Sequence, residues 1–457
     1  DNSLGFDIHT GGTGLSTYSG KAKFTADVKL NYNGLQGNGS LDYLSSTSIS
    51  EQFVFLPDST LGRTTSFVNV EQSGDPGMPQ AKANIVDIAF NPKKDVLKAS
   101  SVDAPIAFFQ NEADLTGSLF LKPQGMTGNG DMDFDDATLS SSLFEYEQRR
   151  ILADTAAFKL KQTNAENLAF KTDNVNSEID FDKREGVFKS NDGETKIELP
   201  TNQYICFMDE FKWFMDKDKM ELSSSREASE DFVIDTNEDK NVSNFYSVNQ
   251  FQDSLNFLAP KATYDIQESV ITCDKIKFIA VADSKILPDS GRVIVRKRAK
   301  MDALTEATVI ANYVTQYHRI FNSTIQINGK FDYEGEGDYA YVDENKLEQI
   351  IHIDKLDVDT TKQTYGKGRI LEEDEFFLNP FFTFQGDFDL TANEKNLNFK
   401  GGTQIIHSCE NLERNWFKFS ASIDPENVYI PVDTNLRNMG MSKLGVGVLL
   451  TNDTPME

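Results

Sequence analysis

Oxygen ligands at alternate positions in a tight turn are what a hard cation such as calcium needs. Asp235, Asn237, Asp239 and Asn241 stand in that pattern, within the run Asp-Thr-Asn-Glu-Asp-Lys-Asn. They are the candidate metal ligands, and calcium is the only cofactor the sequence suggests. The run departs from a helix-loop-helix calcium site at two points. Lys240 stands where the turn glycine belongs, and Tyr246 where the bidentate glutamate belongs. A solvated acidic linker is the preferred reading.

Other reactive types are sparse. The four histidines, His9, His318, His352 and His407, are scattered, and nucleophilic triads and most transition-metal sites draw on this residue. His407-Ser408-Cys409-Glu410 is the densest reactive cluster. Alternation after TQII would put His407 and Cys409 on one face, although an ordinary strand end explains the same residues. DMDFDD at residues 131–136 turns Asp131, Asp133 and Asp135 to one side and Met132 and Phe134 to the other, as in an amphipathic strand with a solvated acidic face. No GxSxG, HExxH or phosphate-loop motif occurs. With 72 acidic residues, a glycosidase-type carboxylate pair leaves no recognisable mark. No catalytic residue is assigned, and the chain is expected to work by contact.

Composition narrows the class. The 457 residues carry 72 Asp and Glu against 45 Lys and Arg, a formal charge of −27, which repels nucleic acid and anionic membrane surfaces. Hydrophobic content of 39% with 34 Phe argues for a packed, strand-rich core. Cys206, Cys273 and Cys409 are far apart, too few and too separated for a disulfide scaffold. No apolar run is long enough for a transmembrane helix. The first residues, DNSLGFDIHTGG, include no Met and no signal peptide, and with the closing TNDTPME they suggest a piece of a longer chain.

The elements that would position any site follow a repeated pattern. GNGSLDY at residues 37–43 returns as GNGDMDF at 128–134 and as GEGDYAY at 335–341. The general form is Gly-x-Gly-x-apolar-x-aromatic, read as a turn or bulge that launches a half-buried strand. The first two occurrences lie 91 residues apart (Gly128 against Gly37), and the alignment continues through Phe53 and Phe144, Phe55 and Tyr146, and Phe67 and Phe158. A looser third repeat spans 178–222, and TYGKGRILEEDEFFL at 364–378 is a weaker fourth occurrence of the glycine motif. Strand alternation recurs along most of the chain. LFEYEQRRILADTAAFKLKQ has helix-forming residues, but its alignment with FVFLPDSTLGRTTSFVNV argues for strands. Asp289-Ser290-Gly291 reads as a hairpin turn. Helix is expected only over 223–231 and 301–314. The expected fold is all-β: repetitive antiparallel strands in an elongated jelly roll, a solenoid or tandem sandwiches, with little helix. The expected division is an N-terminal repeat region at 1–222, an acidic linker or short helix at 223–245, and a β-rich region at 246–457.

GLQGNGSLDY, FVFLPDS and ADTAAFKL together resemble the repetitive β modules of large cell-envelope proteins of Bacteroidota. In strand rhythm they are similar to the OstA-type proteins of the lipopolysaccharide-transport bridge. That resemblance covers residues 19–222 and implies an open jelly roll with an apolar groove, an envelope location and no enzyme activity. It transfers no individual site residue. The expected function is a structural or interaction segment of a larger exported envelope protein, periplasmic or extracellular, within an outer-membrane assembly. A lipid- or lipopolysaccharide-conducting groove and a carbohydrate-binding or carbohydrate-active protein are the alternatives. Expected partners are other envelope proteins, lipid or glycan, and not nucleic acid.

Overall fold

The computed structural model describes residues 5–162, 167–226, 243–408, 413–432, 434–445, 449–450 and 455–456. It is all-β, with 61% strand and 4% helix, the latter in short 3-10 turns. The candidate calcium residues Asp235, Asn237, Asp239 and Asn241, and most of the expected helix at 223–231, lie outside the described residues. The chain forms two compact units: Asp1–Ser225 with Lys261–Ile271, and Arg226–Pro260 with Thr272–Glu457.

Unit 1 is an antiparallel meander of long, bent strands. At one edge, β1 (Phe6–His9) and β2 (Leu15–Thr17) both pair with β3 (Ala22–Asn31). β4 (Gly34–Tyr43) and β5 (Ser46–Leu56) follow. The next three strands are each broken in two: β6 (Ser59–Arg63) with β7 (Ser66–Asn69), β8 (Ala81–Ala83) with β9 (Val86–Asn91), and β10 (Val96–Ser101) with β11 (Ile106–Phe108). β6, β9 and β10 pair along one half, and β7, β8 and β11 along the other. β12 (Ala113–Lys122) then pairs with both β10 and β11.

The same sequence of strands begins again at β12. β13 (Gly125–Phe134) and β14 (Ala137–Tyr146) repeat β4 and β5. β15 (Arg150–Lys161) and β16 (Leu168–Asp180) run on where the first repeat is broken. β17 (Glu185–Ser190) and β18 (Thr195–Leu199) repeat β10 and β11, and β19 (Tyr204–Met208) and β20 (Glu210–Phe214) repeat β12. β21 (Lys219–Ser223) follows and pairs with Lys261–Asp265. Registers confirm the repeat: Val28 faces Gly37 and Gly37 faces Phe53, as Leu119 faces Gly128 and Gly128 faces Phe144.

The glycine motif does not launch a strand. It lies in the middle of β4 and of β13, and the bulge sits opposite it on the next strand. Pairing moves two residues along β4, from Gly37 to Gly39, but three along β5, from Phe53 to Ser50. Gly128 to Gly130 against Phe144 to Ser141 repeats this, as does Gly335 to Gly337 against Leu356 to Ile353 in unit 2. Each bulge leaves two neighbouring residues exposed: Glu51 and Gln52, Ser142 and Leu143, Asp354 and Lys355. The second glycine has a steric reason. At Gly39 (φ +154°) and Gly130 (φ +123°) a Cβ would lie 2.1 Å from the Thr25 carbonyl oxygen and 2.2 Å from that of Thr116.

These bends fall along one seam. The seam also runs through the breaks between β6 and β7, β8 and β9, and β10 and β11, so every long strand gives one half to each of two layers. Rings from opposite sides of the seam meet in the core. Tyr43 packs on Phe90 (4.7 Å), Phe108 on Tyr146 (4.9 Å), Phe158 on Phe188 (4.5 Å) and Phe170 on Phe211 (4.9 Å). The aromatic sets repeat as well: Tyr18–Phe90–Tyr43 recurs as Phe109–Phe181–Phe134.

Unit 2 carries a second antiparallel meander, from Ile279–Val281 through Ser284–Leu287, Leu304–Ala311, His318–Gly329, Asp332–Val342, Glu348–Val358, Thr364–Ile370, Phe382–Thr391 and Leu397–Ile405 to Phe417–Ile423. The expected helix at 301–314 is the strand Leu304–Ala311. Its burial alternates except where two outward residues, Thr305 and Glu306, interrupt the period at a bulge. The β-branched Thr308, Val309 and Ile310 suit that strand, and the long-range pairing overrides the helix-favouring Ala, Leu and Glu. Asp289-Ser290-Gly291 is a turn, but not of a hairpin. Among the described pairings Ser284–Leu287 bonds Ile279–Val281 and Leu304–Ala311, and not Val293–Val295.

Candidate functional site: a charged cleft at the strand turns of unit 1

Away from the seam, strand turns from the two layers come together. Asn111, Glu112, Asp135, Arg149, Phe181 and Arg184 line an open cleft of about 560 Å³ there. Left-handed turn residues build it: Asn111 (φ 72°), Asp135 (φ 47°) and Arg184 (φ 54°). Arg149 donates through Nη2 to both carboxylate oxygens of Glu112 (3.1 and 3.0 Å) and through Nε to Asp182 (3.1 Å). Its guanidinium also lies over the Phe109 and Phe181 rings, at 5.7 and 6.0 Å. Arg184 donates to Asp135 (2.8 Å) and Asp216 (3.0 Å). Burial opposes both charges, but the carboxylate hydrogen bonds outweigh it and hold both pKa values above the ordinary arginine value.

The first repeat also joins its layers by charge, through a different pair. Lys21 stands 91 residues before Glu112 with the opposite sign, and its partner is Asp95, where Glu112 takes Arg149. Lys21 lies 3.3 Å from Asp95 and donates to the Pro92 carbonyl (2.9 Å), while Tyr43 donates to the Asp95 carbonyl (2.9 Å). In both repeats, opposite charges join a turn of one layer to a turn of the other. The cleft lining has no Ser, Cys or His, and its carboxylates are committed to guanidinium groups. This chemistry clasps the layers together.

The residues singled out from sequence are not brought together. His9 is exposed and bonded to Asp27. His318 is buried, donating to the Glu394 carbonyl (2.6 Å). His352 bonds Asp338 (2.9 Å) at the surface. His407 accepts Arg414 at its carbonyl (2.7 Å), and Cys409 and Glu410 lie outside the described residues. Cys206 and Cys273 are buried, and burial pushes the Cys206 pKa far up, which makes it unreactive. Asp131 and Asp133 face solvent and Met132 and Phe134 face the core, as alternation predicts, while Asp135 belongs to the turn and holds Arg184. Among the described residues, no group of three or more His, Cys, Asp or Glu could hold a metal ion, and no helix is long and apolar enough to cross a membrane.

A buried hydroxyl cluster in unit 2 escaped the sequence reading. Ser284 and Thr364 are 2.7 Å apart, Tyr333 lies 2.8 Å from Thr364, and Thr364 donates to Asp283 (2.6 Å). Burial drives the Tyr333 pKa far up. The hydrogen bonds join Ser284–Leu287, Asp332–Val342 and Thr364–Ile370, so the cluster ties three strands together. These four residues are spread over 82 positions, from Asp283 to Thr364, so no local signal marks them.

Comparison with family models, with curated proteins and with solved structures finds no match to this chain.

Proposed function

We propose that this chain is a non-enzymatic structural and interaction segment of a larger exported cell-envelope protein, a building piece of an outer-membrane assembly. The observation that carries the reading is the 91-residue repeat, whose recurring residues serve bends, core and layer fastening. A repeated module spreads equivalent surfaces along an axis, which suits contact with extended partners. The acidic balance supports a protein or neutral partner over nucleic acid. A lipid-conducting groove would need room between the layers, and the rings filling the interior of unit 1 favour the contact reading over it.

Chemical cross-linking in isolated cell envelopes, followed by mass spectrometry, tests the proposal. The expected result is a reproducible set of cross-links from surface lysines to one or two envelope proteins. Recovery in the cytosolic fraction without envelope cross-links would refute it, as would polysaccharide hydrolysis abolished by changing one carboxylate to Ala.

A further inference from the structure

At the β3 edge, β1 and β2 stand where β10 and β11 stand against β12. Phe6 faces Leu30 and Ile8 faces Val28, as Leu97 faces Leu121 and Ala99 faces Leu119. Leu15 faces Phe24 as Ile106 faces Leu115. Each of these correspondences is 91 residues, the spacing of the repeat. Even the turn after β2 matches: Tyr18, Ser19 and Gly20 are left-handed, as are Phe109, Gln110 and Asn111.

What differs is the cover. Leu97, Ala99 and Ile106 are at most 1% exposed, beneath β9 and β8 and the core they bring. Phe6, Ile8 and Leu15 are 74%, 47% and 41% exposed. Leu30 is 45% exposed where Leu121 is 0%. Among the described pairings β1 and β2 bond only β3, so their outer hydrogen-bonding side is unpaired. Edge strands are ordinarily blunted by charge or covered. This one presents large apolar side chains in the register of a buried strand.

We propose that the β1–β2 edge is a docking site for an extended segment of another β-repeat module, added antiparallel as β9 and β8 add to β10 and β11. The occupant's chemistry follows from the internal template. It alternates inward apolar residues with outward polar ones, as Val86, Ile88 and Phe90 alternate with Asp87 in β9. In the template register, Phe90 and Ile88 of such a segment would meet Phe6 and Ile8. Backbone bonds supply affinity and the alternate side chains supply selectivity. The inference is independent of the envelope location, because it is tested on purified protein.

The probe is a fluorescent synthetic peptide of residues 80–91, the β8–β9 sequence of this chain. Anisotropy should show saturable binding that a scrambled peptide does not reproduce, and hydrogen exchange should show new protection at residues 6–9 and 15–17. The double variant Phe6→Asp, Ile8→Asp should weaken binding more than about tenfold. Both side chains are exposed, so its thermal melt should match the parent. Absence of binding, equal binding by the variant, or protection confined to β10 and β11 would each overturn the proposal. So would self-association that protects the same edge and excludes the peptide, since the occupant would then be a second copy of this chain.

Discussion

At the scale of single residues, the repeat supplies its own controls. Phe67 and Phe158 are equivalent and fully buried, so Phe158→Ala should cost about 3–5 kcal/mol in urea unfolding. A loss under about 1 kcal/mol would mean that the site is not a tightly packed core position. The sequence alignment also pairs Phe55 with Tyr146, yet Phe55 is half-buried while Tyr146 is 4% exposed. Tyr146 is covered by the stacked Phe108 ring, and the residue in Phe108's place is Thr17, too small to cover Phe55. That difference depends on a neighbour from another strand and was invisible in the alignment. The Tyr146 hydroxyl is buried without a hydrogen-bond partner, and burial drives its pKa far up. Tyr146→Phe, which installs the ring of the first repeat, should therefore stabilise the protein by about 1 kcal/mol. Destabilisation in the same unfolding measurement would show that the hydroxyl has a partner after all.

At the scale of elements, alternation and glycine spacing made most strands legible, including β14 and β15 against their helix-favouring composition. The bulges were misplaced because the glycines mark the strand facing the bulge, and the bulged residues, Glu51-Gln52 and Asp354-Lys355, have no common chemistry. The clasping cleft was not legible because Glu112, Arg149 and Arg184 are distant in sequence, and two of them change sign between the repeats, with Lys21 and Asp58 standing 91 residues before Glu112 and Arg149. In unit 2, His318 joins the strand His318–Gly329 to the turn carrying Glu394. Burial lowers its pKa below the ordinary 6.5. Below that ordinary value the unfolded chain takes up a proton that the folded chain resists. Stability from this group is therefore complete above 6.5, falls as the pH drops towards the folded pKa, and levels off below it. Chemical unfolding between about pH 5 and 7.5 should show the loss on the acid side. His318→Gln keeps a donor for the Glu394 carbonyl and should flatten that part of the profile. An unchanged profile would assign the acid sensitivity to other groups.

At the scale of the whole molecule, the scarcity of helix among the described residues follows from pairing that is long-range and continuous. Unit 1 is a stack in which one strand serves two repeats. β12 closes the first repeat against β10 and β11 and opens the second against β13. In such a stack, stability is a sum of local terms and nearest-neighbour interfaces, so a shared strand couples the modules beside it. Leu119 is the place to test this coupling. It is fully buried in β12 and faces Ala99 on one side and Gly128 on the other. Leu119→Ala should cost about 2–5 kcal/mol. Native-state hydrogen exchange should then show β10–β11 and β13–β14 losing protection together, because the weakened strand belongs to both repeats. If only one side loses protection, the repeats are independent modules that merely adjoin, and the one-dimensional stack is the wrong description of unit 1.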